Sequence, residues 1–497
     1  MALSHINPEQ RPLSMLLDGL TDGAVPSVDV AGVAIDSRAV TPGSLFMAYA
    51  GTRAHGLDFV DQAVANGARA IAWDGDHAPD TSVPAIRVPE LAARASAIAG
   101  RFFGRPAERL FVAGITGTDG KTSCAWMLAR ALEELGVHCG YIGTLGAGLP
   151  DDLAEATHTT PDPVVVQQWL ARLVADAADA VAFEVSSHAL HQHRVDGVAF
   201  DVAVLTQIGR DHLDYHGDLA AYARAKRRLF EFAGLKYAVL NADDAFGRAW
   251  LDALDASVTP IVYGRGDVAS LAACHVAIES IETRIDGVVL EVSTHAGSAR
   301  IESGLVGEFN AMNLAAVLAV LLARGETLTD AAAALAAIDT VPGRMQRIDA
   351  RVDQPLVVVD FAHTPGALAQ ALGAVRAHAE GRVLCVFGCG GDRDRGKRAL
   401  MGQAAVAGAD AVWVTDDNPR SESPQAIVDE ILAGIADRTA VQVVHDRGRA
   451  IAAAIAAAGV GDVVLIAGKG HETTQQIGSE RRPFDDRIEA RRALEAA

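Results

Sequence analysis

The chain has 497 residues, 50% of them apolar, with a formal net charge of −20. That length exceeds what one hydrophobic core holds, so about two to four domains are expected. The acidic balance excludes a general nucleic-acid binder, whose affinity comes from a positive surface, and fits a solvated protein.

No apolar run is long enough to span a bilayer; Ala450 to Val460 is mostly alanine and too short. Met1 to Pro8 lacks a charged segment followed by an apolar one, so no secretion signal and a cytoplasmic location are expected. The five cysteines form no Cys-x-x-Cys pair. They read as small core or loop residues in a reducing compartment, without a zinc site.

In chain order, three blocks separate. The first, 1–90, has short strand-like runs at Val33-Ala-Ile35, Leu45-Phe-Met-Ala48 and Ala70-Ile-Ala-Trp73, with turn residues between them. A helical segment over Leu91 to Phe103 leads through Gly104-Arg-Pro106 into the second block, 91–340. There an apolar run, Leu110 to Ala113, precedes Gly114-Ile-Thr-Gly-Thr-Asp-Gly-Lys-Thr122 and a helical pattern from Ser123 to Leu135. Strand, glycine-rich turn and helix make a phosphate cradle. Backbone N–H groups and the helix N-terminus face the anion, Lys121 adds a full charge, and the Thr122 hydroxyl can hold magnesium. Ile115 stands where the common spacing has its first glycine, which marks a particular subtype of nucleotide loop.

Further strands are expected at Ala180–Phe183, Val202–Leu205 and Ala238–Leu240, alternating with helices as in a parallel sheet covered on both faces. Glu184 ends one of them, where an open α/β sheet gathers its ligands. It reads either as a magnesium ligand or as an acid beside a helix start at Ser186, and the phosphate loop favours the metal. His188, His191 and His193 lack the spacing of a helical zinc pair, so they read as solvated or substrate-facing. After Val202–Leu205, any of Asp211, His212 and Asp214 could ligate a second metal. Lys226, taken alone, reads as an exposed helix lysine. Val276 to Val292 reads as antiparallel strands.

The third block, 341–497, opens at Val341-Pro-Gly-Arg344 and reads as a second doubly wound unit. Strands are expected at Leu356–Val359, Val383–Phe387, Ala411–Val414 and Val463–Ile466, and helices at Gln425–Ile435 and Arg447–Ala458. Three polar loops follow strands: Gly388-Cys-Gly-Gly-Asp-Arg-Asp-Arg-Gly-Lys397, Asp416-Asp-Asn-Pro-Arg420 and Gly468-Lys-Gly-His-Glu472. All three should converge on one rim. Arg393, Arg395, Lys397 and Arg398 fall close together and suit an anionic group.

The phosphate loop, Glu184-Val-Ser-Ser-His188, Asp211-His-Leu-Asp214, Lys226 with Leu229-Phe230, Asp360-Phe-Ala-His-Thr-Pro365 and Asp417-Asn-Pro-Arg420 occur in the order found in the Mur ligases of peptidoglycan synthesis. The chain resembles that family over nearly its whole length, and most closely its members that add the third amino acid. The resemblance implies an α/β protein of three domains: a UDP-substrate domain (1–90), a central P-loop ATPase with a mainly parallel sheet (91–340), and a C-terminal Rossmann-like domain for the incoming amino acid (341–497). It implies ATP and Mg2+ as cofactors, with UDP-N-acetylmuramoyl-L-Ala-D-Glu and meso-2,6-diaminopimelate as substrates. A monomer is expected, with no nucleic-acid partner and no membrane insertion. The D-glutamyl γ-carboxylate would be phosphorylated and the resulting acyl phosphate attacked by the amine.

The residue roles come from the same resemblance. Lys121, Glu184, His212 and Lys226 are the catalytic set. Thr122 and Glu184 are implied ligands of one magnesium, with His212 on a second that faces Lys226 as a carbamate. Gly117, Thr118, Asp119, Gly120, Lys121, Thr122 and Ser123, with Asn310, Arg344 and Asp360, are implied around ATP. For Asn310 a helix N-cap is an equal alternative. Ser37, Thr52, Arg53, Ala54, Thr159, Thr160, Ser186, Gln192 and Arg194 are implied around the UDP-muramoyl peptide. Arg393, Asp417, Asn418, Pro419, Arg420, Gly468 and Glu472 are implied around diaminopimelate, with the Arg420 fork matched to the distal carboxylate. Two positions depart from the family pattern: Asp119 replaces the usual asparagine and Phe361 the usual tyrosine. The competing readings are a related muramyl or folylpolyglutamate-type ligase, and a phosphate-loop switch with no amino-acid pocket.

Overall fold

In the computed structural model the described residues are 9–21, 23–52, 54–156, 158–338, 340–348, 351 and 353–496. Among them a small parallel sheet comes first, ordered Gly32–Ala34, Ser44–Ala48, Ala70–Trp73, Ala85–Arg87. The middle strands are buried on both faces, which is why they read as unbroken apolar runs. Helix Leu91–Phe102 supplies Leu91, Ala95, Ile98, Ala99 and Phe102, a single helical face, to a core shared with Leu13, Leu16, Leu45 and Met47.

The phosphate-loop strand, Phe111–Thr116, lies between Ala180–Glu184 and Val202–Leu205, parallel to both. Cys139–Gly143 flanks the former, and Tyr237–Asn241 then Thr259–Arg265 continue beyond the latter, all parallel. The strand runs three residues past the expected Ala113, because neighbours on both sides hydrogen-bond it through Ile115 and Thr116. Beyond Cys139–Gly143 the sheet is extended by a hairpin, Gly146–Leu149 with Asp152–Ala154, that the sequence pattern did not indicate. Gly287–Thr294 and Gly297–Ser303 pair antiparallel.

The last block forms a six-stranded sheet ordered Gln346–Ile348, Leu356–Asp360, Val463–Ala467, Val383–Phe387, Ala411–Val414, Val441–Val443. Only the first strand is antiparallel. Alternation splits each strand between two cores: Cys385 and Phe387 face one layer of helices, Leu384 and Val386 the other. The polar loops leave the C-terminal strand ends, beside a hairpin of Thr474–Ile477 and Glu480–Pro483.

By compactness the chain divides into two units. One is Met1–Ala277 with Ala316–Thr327, and the other is Ile278–Ala315 with Leu328–Ala497. The site residues of each unit are described in turn. Among the described residues no helix is long and apolar enough to cross a membrane.

Candidate active site

The phosphate loop is held open by its neighbours. Gly117 has φ near 149°, and a methyl group there would lie 1.8 Å from Thr206 Oγ1. The Thr206 hydroxyl instead donates to Asp119 O at 2.6 Å, and Thr118 N–H to Gln207 O at 2.7 Å. Gly120, also left-handed, caps helix Lys121–Glu134, so the N–H groups of the helix's first turn point toward the cradle. Ser123 is buried in that turn. Lys121 Nζ donates to the carbonyls of Gly117 and Thr118 at 2.8 and 2.7 Å. The Asp119 carboxylate accepts from Gln207 Nε2 at 2.8 Å, which turns it toward the Thr206–Gln207 segment.

Glu184 is fully buried at the end of its strand. Its carboxylate accepts from Thr122 Oγ1 at 2.9 Å, Thr144 N–H at 2.9 Å, Thr144 Oγ1 at 3.1 Å and the Tyr141 hydroxyl. Two oxygen donors of hard character, Thr122 and Glu184, thus meet beside the cradle. Such a pair fits magnesium, which takes few protein ligands and completes its shell with phosphate and water. Tyr141 and Thr144 escaped sequence reasoning, since neither lies in a recognisable motif.

Around the same strand end the structure gathers Thr159, Thr160, Ser186, Gln192 and Arg194. Thr160 Oγ1 donates to Glu184 O at 2.8 Å and accepts from Ser186 N–H at 3.0 Å. Arg194 donates to Thr160 O at 2.8 Å and through Nη2 to Gln192 Oε1 at 2.7 Å. Thr159 and Thr144 hydroxyls are 3.1 Å apart. Ser186 also caps helix Ser187–His191 through Ala189 N–H. In the first sheet domain Ser37 is buried on Gln62 at 2.7 Å, and Thr52 and Ala54 lie on an exposed turn. Those three make no hydrogen bond to the Thr160 cluster among the described residues, and Arg53 lies outside them. Tyr49, just before that turn, senses the charges of Asp162 and Arg194, and burial is the larger cause of its raised pKa.

Lys226 corrects the reading of an exposed helix lysine: it is only 1% exposed. Its Nζ donates to Gly117 O at 2.6 Å and sits 4.6 Å from the centre of the Tyr222 ring. Burial, then the Lys121 charge, holds its pKa well below the usual lysine value, against the pull of Asp211 and Asp119. His212 is half-exposed at φ 51°, beside Asp211 at 3.3 Å, and its ring lies 4.8 Å from that of His188. It makes no direct hydrogen bond to Thr122 or Glu184 among the described residues. His188, packed among His212, Tyr215 and His216, is pushed down to about 4 by burial and then by its histidine neighbours.

In the second unit the three polar loops are tied together. Gly391 N–H donates to Asn418 O at 2.9 Å, and Arg420 Nη1 donates to Gly391 O at 2.6 Å. A methyl group on Gly391 would lie 1.8 Å from Pro419 O, so this close approach requires glycine. Arg420 adopts φ 52°, and its main chain pairs with Gln476 O and Gly478 N–H. Such strain persists only where surroundings enforce it. Asp417 and Asn418 are buried. Asn418 Nδ2 donates to Glu472 Oε2 at 2.9 Å, and buried Gln475 donates to Asp417 O at 2.8 Å. Gly468 N–H donates to Asp360 O at 3.1 Å, and Arg393 is exposed. The expected basic cluster is smaller than its sequence. Arg398 is wholly buried between Glu422 and Glu430 and holds Glu422 down to about 2, while Arg395 is bonded to Glu430. Both arginines are engaged in internal ion pairs.

Asp360 accepts Met345 N–H and Ala362 N–H at 2.7 Å each, and burial raises its pKa. The Arg344 guanidinium stacks on Phe361 at 4.8 Å, and its Nε is buried with no protein partner among the described residues. An orphaned guanidinium nitrogen over an aromatic face fits an anionic, planar ligand such as a nucleotide. Asn310 is inside helix Glu308–Arg324 rather than capping it. Its amide donates back to Val306 O at 2.8 Å and accepts from Asn313 at 3.0 Å.

A glycine-rich cradle at the centre of a parallel sheet, with a threonine–glutamate pair beside it, defines a phosphate-loop enzyme of the α/β class. Three family models match in succession: Mur ligase family, catalytic domain, at residues 29–102; Mur ligase middle domain at 115–321; and Mur ligase, glutamate ligase domain, at 343–470. The UDP-N-acetylmuramoyl-L-alanyl-D-glutamate–2,6-diaminopimelate ligase of Alkalilimnicola ehrlichii is 50% identical over 94% of this chain and 95% of its own. A solved structure of an enzyme of that name is 35% identical, with TM-score 0.75, covering 98% of this chain and 99% of the other. Folylpolyglutamate synthase of Mycobacterium tuberculosis, solved with ADP and AMPPCP, shares the fold at 20% identity and TM-score 0.60 over 76% of this chain and 92% of its own. The chain belongs to the Mur ligase family and is a ligase of its three-domain architecture.

Proposed function

We propose that the chain is an ATP-dependent ligase that joins meso-2,6-diaminopimelate to the D-glutamyl γ-carboxylate of UDP-N-acetylmuramoyl-L-Ala-D-Glu, in peptidoglycan precursor synthesis. The observation that carries this reading is the half-identity, over 94% of the chain, to a relative bearing that activity's name. The tied Arg420 loops support it, since a related ligase or a nucleotide switch has no need of them.

The γ-carboxylate takes the terminal phosphoryl group of ATP, releasing ADP, and the amine of the amino acid then attacks the acyl phosphate, forming the amide and releasing phosphate and a proton. Lys121 and the first-turn N–H groups of helix Lys121–Glu134 stabilise charge on the phosphoryl oxygens. Thr122 and Glu184 would hold a magnesium ion and His212 with carbamylated Lys226 a second, and the metal supplies neutralisation of phosphate charge. Lys226 is suited to the carbamate because burial, then the Lys121 charge, lowers its pKa well below the usual lysine value, which favours the neutral amine that attacks the carbon of carbon dioxide and releases a proton. Asn310, Arg344 and Asp360 serve the nucleotide. Ser37 and the Thr52–Ala54 turn serve the UDP end, and Thr159, Thr160, Ser186, Gln192 and Arg194 the peptide. Arg420 pairs with the distal carboxylate of diaminopimelate, with Arg393, Asp417, Asn418, Pro419, Gly468 and Glu472 around it. The domain limits 1–90, 91–340 and 341–497 belong to the same proposal, as do a monomeric state and a cytoplasmic location.

The test is ADP release by the purified chain. The proposal expects release only when both the UDP-muramoyl dipeptide and the amino acid are present. Hydrolysis of ATP without either would point to a nucleotide switch instead.

A further inference from the structure

Lys469 lies between Gly468 and Glu472 in the third polar loop, and its side chain has no exposed surface. A buried ammonium is costly unless it is paired and hydrogen-bonded, so its partners define what it does. It donates to Glu472 Oε2 at 3.0 Å and to Asn418 Oδ1 at 3.3 Å. Asn418 Nδ2 donates to that same Glu472 oxygen at 2.9 Å, and Gln476 N–H donates to Asn418 Oδ1 at 2.9 Å. The Asn418 amide therefore has one orientation, with its oxygen toward Lys469 and Gln476 and its nitrogen toward Glu472. Glu472 Oε2 carries two donors, while Oε1 carries none among the described residues. The Glu472 side chain remains 36% exposed, so this carboxylate is anchored by one oxygen and available at the other.

We propose that Lys469 is a positioning residue that sets the rotamer of Glu472 and the amide sense of Asn418, so that a fixed carboxylate oxygen is offered to the ammonium of the incoming amino acid. This rests on the reading of these loops as the amino-acid site. The contribution is orientation rather than charge. A second ammonium beside Glu472 weakens the attraction for a ligand ammonium, but a freely rotating carboxylate loses more, because the ligand must then order it on binding.

K469M removes both donors at similar length. The KM for diaminopimelate should rise about tenfold to a hundredfold, the worth of a hydrogen bond to a charged group. The KM values for ATP and the UDP-muramoyl dipeptide should stay within a few-fold. In an E472Q background K469M should add little, because the two act as one unit. K469Q, which keeps a donor without the charge, should shift the same KM less and carries the test if K469M does not fold. An unchanged or lower KM for diaminopimelate, or full additivity with E472Q, overturns the proposal. A crystal structure of K469M or K469Q separates this inference from the function it rests on. Glu472 and Asn418 should leave their present contact whatever the substrate is, and their retention overturns the positioning role. Failure of the unaltered enzyme to use diaminopimelate would instead contradict the assignment of the site.

Discussion

Lys226 is a fully buried lysine beside the phosphate loop of the first unit. The amines of Lys121 and Lys226 are aimed at the same Gly117 carbonyl, and burial, then the Lys121 charge, holds the Lys226 pKa well below the usual lysine value. A carbamate there would convert a poor neighbour for Lys121 into an anion able to face a metal. Lys226→Ala should therefore nearly abolish turnover and be partly restored by a short added carboxylate; full activity of the bare variant would remove the carbamate. His471 gives a second expectation at this scale. Burial, then the Arg344 charge, pushes its imidazole down from 6.5 to about 4, and its Nδ1 is buried without a protein partner among the described residues. Between those values the unfolded chain binds a proton that the native state refuses. The stability this group contributes is thus intact above about pH 6.5 and lost toward pH 4, by up to about 1.4 kcal/mol per pH unit. Denaturant midpoints at pH 7 and pH 5 should fall less for His471→Gln than for the unaltered chain, and parallel losses would contradict the assignment.

At the scale of elements, the strands that matched their sequence pattern at both ends were continuous apolar runs bounded by polar loops, such as Val202–Leu205, Val383–Phe387 and Ala411–Val414. Gln346–Ile348, Val441–Val443 and Glu480–Pro483 were not legible, because pairing with a neighbour rather than their own composition makes them strands. The same limit applies to the site. Motifs located the phosphate loop, Glu184 and the Arg420 loop. Residue type alone pointed Lys226 outward, and only the resemblance brought it into the site; burial of Lys469 was not read at all, since lysine alone signals exposure. Nor could spacing reveal that Arg398 is spent on Glu422 and Glu430, which approach it only through the fold. Arg420 is the element-level test. Its backbone is fixed by Gln476 and Gly478 and its guanidinium by Gly391, far in sequence from the phosphate loop. Arg420→Ala should lose diaminopimelate use by orders of magnitude while ATP affinity, measured by calorimetry, changes little. Equal losses would contradict the role given to it.

For the whole molecule, the architecture separates two tasks. The parallel sheet of the first unit carries a glycine-rich cradle with a buried carboxylate, Glu184, hydrogen-bonded to Thr122 beside it. The sheet of the second unit carries loops built around a fixed arginine and a half-free glutamate. Such a division suits a ligase that must activate one acid and recognise another. The second site is proposed to take a diamino-diacid. A site that holds an arginine for a carboxylate rejects an analogue lacking that group by ~10⁴-fold or more. The direct measurement is kcat/KM for meso-diaminopimelate against L-lysine, with ATP and the UDP-muramoyl dipeptide saturating. A preference of that order for diaminopimelate is expected, and comparable values for the two amino acids would contradict the role of Arg420.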